Sequence, residues 1–113
     1  MGFHGNSGKS KRKHHLYAIH DIEENDIFKF GISDKPIDED GYSSRLREQV
    51  DYLNRAVGLL RFFGEILIRG ILGRTRAQEI EDEYIDAYRE KHGRNPRGNV
   101  KKTKKQKKEE VEG

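Results

Sequence analysis

At 113 residues, 32% hydrophobic and 38% charged, the chain has room for one domain with a thin core. Cysteine is absent, which excludes a disulfide framework and any Cys-based zinc site. The net charge of +3 sits in the tails: residues 1–13 carry +4 and 101–113 carry +3, which leaves 14–100 at −4. A polyanion would therefore be drawn by a local cluster of cations and only weakly by the field of the whole molecule.

Residues 1–13 place Gly2, Gly5, Ser7, Gly8 and Ser10 among lysines and read as a disordered basic linker. No apolar run approaches the ~20 residues of a membrane span, and no apolar stretch of the kind a secretory signal needs follows this basic start. The expectation is a soluble chain without a classical export signal and with no membrane partner. Period-two alternation over His15–Ile22 and again over Ile27–Ser33 predicts two strands. Glu23-Glu24-Asn25-Asp26 between them is short, polar and tolerant of left-handed backbone, so the pair should form an antiparallel hairpin.

A polar loop, Asp34 to Tyr42, precedes Leu46, Val50, Leu53 and Val57, whose spacing predicts an amphipathic helix capped by Ser44 and ended by Gly58. Leu59 to Leu72, rich in β-formers, reads as a mostly buried third strand of undetermined pairing. A last helix is expected after Thr75, with Gln78 completing a capping-box pattern, a buried stripe of Ala77, Ile80, Tyr84 and Ala87, and Gly93 at its end. Residues 101–113 read as a disordered Lys-rich tail. The predicted class is α+β, a small three-stranded sheet flanked by helices in the order β-β-α-β-α, over residues 14–100.

Leu16-Tyr17-Ala18-Ile19 resembles the first signature of the GIY-YIG nucleases, and Phe28-Lys29-Phe30-Gly31-Ile32-Ser33 resembles the second. Ala77-Gln78-Glu79-Ile80-Glu81, Tyr84-Ile85 and Pro96-Arg97-Gly98-Asn99 resemble the closing pattern of that family, in the correct order. The stretch from His14 to Asn99 also resembles the URI-type toxin modules of bacterial polymorphic toxins, which are cut from a longer carrier. The resemblance implies a metal-dependent endonuclease acting on DNA, with RNA not excluded, and an immunity protein as partner. It implies action in the cytoplasm, of a target cell where the carrier is secreted.

The resemblance makes Tyr17 the general base or water-orienting group, Arg45 the contact to the scissile phosphate, and Glu81 the ligand of Mg²⁺ or Mn²⁺. A guanidinium offers forked donors to phosphate oxygens, and Arg47, one step round the helix, competes with Arg45 for that place. Glu81 lies at the edge of the expected buried stripe, where a carboxylate suits a hydrated cation. Lys29 stands where many members carry a second tyrosine, a cation facing the phosphate. Gly31 beside it would admit substrate backbone, and Asn99 would tie the C-terminal segment to the sheet. His14, His15 and His20, isolated near a basic linker, read as solvated side chains. Two alternatives remain at this stage: a catalytically decayed fold kept for holding DNA or protein, and a housekeeping or mobile-element nuclease.

Overall fold

A computed structural model describes residues 12–99; the expected tails fall almost wholly outside these residues. The chain runs β1 (Lys13–Asp21), β2 (Asp26–Ser33), α1 (Ser44–Val57), β3 (Phe62–Leu72) and α2 (Arg74–His92). This is the predicted α+β order. β1 takes up Lys13, the last residue of the expected linker. The hairpin turn uses Asn25 at φ 51, the left-handed conformation that asparagine tolerates.

The sheet order is β2-β1-β3 with both pairings antiparallel, so the first strand is central. Leu16, Tyr17, Ala18 and Ile19 are consequently buried on alternate faces, and none exceeds 1% exposure. Tyr17 and Ile19 pack with Leu46 and Val50 of α1 and Phe62 of β3. On the other face Ala18 and Phe30 meet Ile85 and Tyr88, while Leu16 meets Ile71 and Ala77. The sheet is therefore a layer between the two helices, and β1 is its core strand.

Four local expectations are corrected. Ser43, not Ser44, caps α1: its Oγ accepts from Leu46 N and its carbonyl accepts from Arg47 N. Gly58 does end the helix in the left-handed conformation (φ 74), its N–H donating to Asn54 and Arg55 carbonyls. The capping box at Thr75 does not form, because β3 passes into α2 through Gly73 alone and the carbonyl of Gly73 accepts from Ala77 N. The buried stripe of α2 runs through Ala77, Ile85 and Tyr88, with Ile80 half-buried and Tyr84 and Ala87 exposed. β3 is an edge strand that starts at Phe62, and Leu59, Leu60, Phe63 and Leu72 are exposed, because β1 and not β3 holds the central place.

One buried charge ties three distant parts of the chain together. Asp21, at the end of β1, has no exposed side-chain surface and accepts from Arg61 at 2.8 Å through both oxygens and from Arg97 at 2.6 Å. Backbone N–H groups of Glu23 and Glu24 donate to it as well. Arg61 holds its carboxyl far below the ordinary carboxylate range, helped by Arg97 and the Glu24 amide and opposed by burial. Asp21→Asn leaves two guanidinium groups short of a partner and should destabilise the domain by about 2–4 kcal/mol, reduced from a fully buried pair because both arginines are partly exposed. A carboxylate whose folded pKa is depressed contributes stability above its unfolded pKa of ~4, and that contribution is lost as pH falls toward the folded value. Wild-type stability from urea melts should therefore decline below about pH 4, and Asp21→Asn should flatten part of that decline. Asp26, Asp34 and Asp40, whose pKa values are also lowered, share the remainder.

Candidate active site

The antiparallel register sets Tyr17 opposite Gly31 and Ile19 opposite Lys29, so these four share the face covered by α1. Between Ile19 and His20 the register shifts: His20 pairs with Ile27, which leaves Phe28 as an extra residue in β2. The bulge brings Phe28 to the α1 side, where its ring meets Phe62 edge-on at 5.1 Å and packs against the core.

Gly31 is glycine because of Tyr17. A Cβ there would collide with Cζ and the hydroxyl oxygen of Tyr17 and stand 2.7 Å from Cε1. The expected room for substrate backbone is thus filled by the tyrosine ring, which lies across the strand. The Tyr17 hydroxyl sits 2.8 Å from the Gln49 amide, and the amide has one orientation that satisfies both neighbours. Its nitrogen donates to Tyr17, and its oxygen accepts from Arg45 Nε at 3.1 Å and Nη2 at 3.2 Å. Arg45 and Gln49 are one helical turn apart on α1, so the helix delivers both to the same point.

Burial raises the Tyr17 pKa above its ordinary value; Arg45 partly offsets this, and the charge of Glu81 adds to it. Burial lowers the Lys29 pKa, Arg45 lowers it further, and Glu81 opposes. Glu81 comes from α2, on the Ala77–Ile85 line of the helix, and its charge is felt at both Tyr17 and Lys29. Lys29, Arg45 and Gln49 line a cleft of about 470 Å³ together with Glu48, Arg97 and Gly98. Tyr17 is buried beneath it, not on its wall.

Of the other predicted residues, Asn99 lies against the open edge of β2, where its amide accepts from Phe30 N and donates to Phe30 O, both at 2.9 Å. It substitutes for a missing strand. Gly98 beside it donates to the Phe28 carbonyl, and a Cβ there would stand 2.5 Å from the Phe28 ring and 3.0 Å from Lys29 Cβ. Arg47 is drawn away: its guanidinium donates to Asp40 at 2.9 Å and Asp38 at 3.1 Å, pinning the loop, and Arg45 alone faces the tyrosine. His14 and His15 are buried, contrary to expectation, because β1 is paired along both edges; His15 Nε2 meets Ser43 Oγ at 3.1 Å. His20 stacks on Phe63 and meets Glu65 at 2.8 Å. Gln49 was not singled out by the sequence reading; its signal is the four-residue step from Arg45.

Among the described residues no group of three or more His, Cys, Asp or Glu gathers in a way that could cage a metal. A single carboxylate, Glu81, whose charge is felt at Tyr17 and Lys29, is the kind of donor a hydrated Mg²⁺ takes, since that ion keeps most of its waters and needs few protein ligands. No helix among these residues is long and apolar enough to cross a membrane.

The collision at Gly31 yields a double-mutant test. Gly31→Ala should cost about 1–3 kcal/mol by overpacking, and less in a Tyr17→Ala background where the ring is gone. Additive losses in thermal or urea melts would contradict the close approach.

Comparison with curated proteins and with solved structures finds no match to this chain. Comparison with protein families finds one described as URI fold toxin 2, which matches residues 7–93. That span takes in both strands of the hairpin, α1, β3 and all of α2. The chain belongs to the URI fold toxin 2 family, a GIY-YIG-like fold.

Proposed function

We propose that this toxin module is a metal-dependent endonuclease that hydrolyses phosphodiester bonds of DNA, acting in the cytoplasm of a bacterial target cell. The observation that carries the reading is the convergence of Lys29 and Arg45 on one cleft above Tyr17, within the field of Glu81. Neither cation forms an ion pair among the described residues, whereas seven arginines elsewhere do. A partly desolvated pair of cations not committed to an internal ion pair suits a phosphate.

Arg45 presents its fork to the non-bridging oxygens while its Nε side holds Gln49. Tyr17, protonated at neutral pH and already accepting from Gln49, keeps its own proton to give and orients the attacking water. It is not the base. Lys29, whose pKa burial and Arg45 lower, meets the phosphate as the ammonium and, in the fraction that has given up its proton, takes the proton of the water as its oxygen attacks phosphorus and returns it to the alkoxide released when the P–O bond breaks. A divalent ion at Glu81 would supply Lewis-acid stabilisation of the charge developing on the phosphate. An immunity protein covering the cleft is the inhibitor this reading implies.

Plasmid cleavage tests the proposal. Nicking should require Mg²⁺ or Mn²⁺, stop with EDTA, and fall at least about 10²-fold in Arg45→Ala and Glu81→Ala that retain wild-type melting temperature. Cleavage that persists in EDTA, or a folded Glu81→Ala at wild-type rate, removes this mechanism. Lys29→Arg separates two roles: a guanidinium keeps the positive charge but cannot give up a proton. DNA affinity should persist in that variant while the single-turnover rate drops by about 10²-fold. A rate close to wild type would reduce Lys29 to electrostatic contact.

A further inference from the structure

A second concentration of positive charge lies at the end of the sheet where β1 begins. Lys13, His14 and His15 from β1, Lys35 from the loop after β2, and Arg69 and Gly70 from β3 line a groove of about 430 Å³. Lys13, Lys35 and Arg69 are exposed and form no ion pair among the described residues. Arg47, Arg61, Arg76, Arg89, Arg94 and Arg97, by contrast, each hold a carboxylate. The one acid in the lining, Asp34, is engaged by Arg12 at 2.8 Å. At Gly70 (φ 68) nothing stands within 4 Å of where a side chain would begin, so the groove wall is low and backbone can approach it.

The groove reaches the residues beneath the cleft through His15. That histidine lines the groove, and its ring is 6.1 Å from the ring of Tyr17. The same histidine meets Ser43, the cap of α1, and the first turn of α1 carries no acidic residue. A helix N-terminus free of acids adds partial positive charge between the groove and Arg45, two residues beyond the cap. The α1 terminus thus stands between Lys35 and Arg69 of the groove, which touch the His15 side, and Arg45 of the cleft, on a body whose overall charge is negative.

We infer that this groove is a second phosphate-binding site, carrying the nucleic-acid backbone that flanks the bond in the cleft. The inference rests on the nuclease reading for the identity of the strand, but its own claim is a contact between these cations and backbone phosphates. Phosphate contacts of this kind position without reading bases, so sequence preference should not follow from them. Binding weakens as salt rises, with a slope of about 0.9 per phosphate neutralised on duplex DNA.

The test uses the full chain with a fluorescein-labelled DNA duplex in EDTA, so that binding is read without cleavage. The slope of log Kobs against log[salt] should become shallower by about 2 in the double variant Lys35→Gln with Arg69→Gln. Arg55→Gln, an exposed charge on α1 outside the groove, should leave the slope unchanged. An unchanged slope in the folded double variant, an equal change in Arg55→Gln, or no measurable wild-type binding overturns the inference. Cleavage in Mg²⁺, measured in parallel, separates the two readings. A shallower slope in a protein that cuts nothing keeps the groove and ends the nuclease, whereas normal cutting with an unchanged slope ends the groove alone.

Discussion

The structure depends on one strand being closed on every side. β1 is hydrogen-bonded to β2 and β3 along its two edges and covered by α1 and α2 on its two faces, so its middle residues, Leu16 to Ile19, have no open side. Tyr17 inherits this rigidity. Its ring is pressed over Gly31, its hydroxyl is held by Gln49, and through Gln49 the Arg45 guanidinium is set before any substrate arrives. Preorganisation of this kind is what electrostatic stabilisation of a developing phosphate charge requires.

The ion pairs do a complementary task. Asp21, Asp26, Asp38 and Asp40 each take up an arginine and fix a loop or terminus: Asp21 through Arg97 the C-terminal segment, Asp26 through Arg94 the end of α2, and Asp38 with Asp40 through Arg47 the approach to α1. Arg97 also lies over the Phe28 ring at 5.3 Å, and Asn99 closes the β2 edge two residues on. With those arginines neutralised internally, Lys29 and Arg45 at the cleft above Tyr17 are among the cations left over. The negative total of the body is thus compatible with local positive charge, because the sum counts charges and the surface displays only unpaired ones.

Element order and type were legible because each change of hydrophobic period is abrupt, from two in the hairpin to 3.6 in α1, with Gly58 and Gly93 as real helix ends. Pairing was not: a central strand buried on both faces shows the same residues whichever neighbour it takes, and the burial of His14 and His15 follows from that pairing alone. Ser43 and Ser44 offer the same side chain one residue apart, and only the backbone decides which caps. Thr75 and Gln78 match a capping box in spacing, yet the passage through Gly73 denies them the helix start. Tyr17, Lys29 and Arg45 were singled out through motif resemblance; strand pairing puts Tyr17 and Lys29 on one face, and the four-residue step to Gln49 on α1 brings Arg45 to it. The Asp21–Arg61–Arg97 clamp had no local signal, since its members lie far apart in the chain. Arg47 was a candidate by helix position and is removed by two acids in the loop before it.

The central claim is that this family fold harms a cell by cutting DNA with the Arg45–Glu81 site, and chromosome integrity reports on it most directly. Wild-type protein and Glu81→Ala, matched in expression in a bacterium without a cognate inhibitor, are compared by pulsed-field electrophoresis of the chromosome alongside growth. The account predicts fragmented or nicked DNA and arrest with the wild type, and intact DNA and growth with Glu81→Ala. Arrest with an intact chromosome, or equal damage from both proteins, would contradict it.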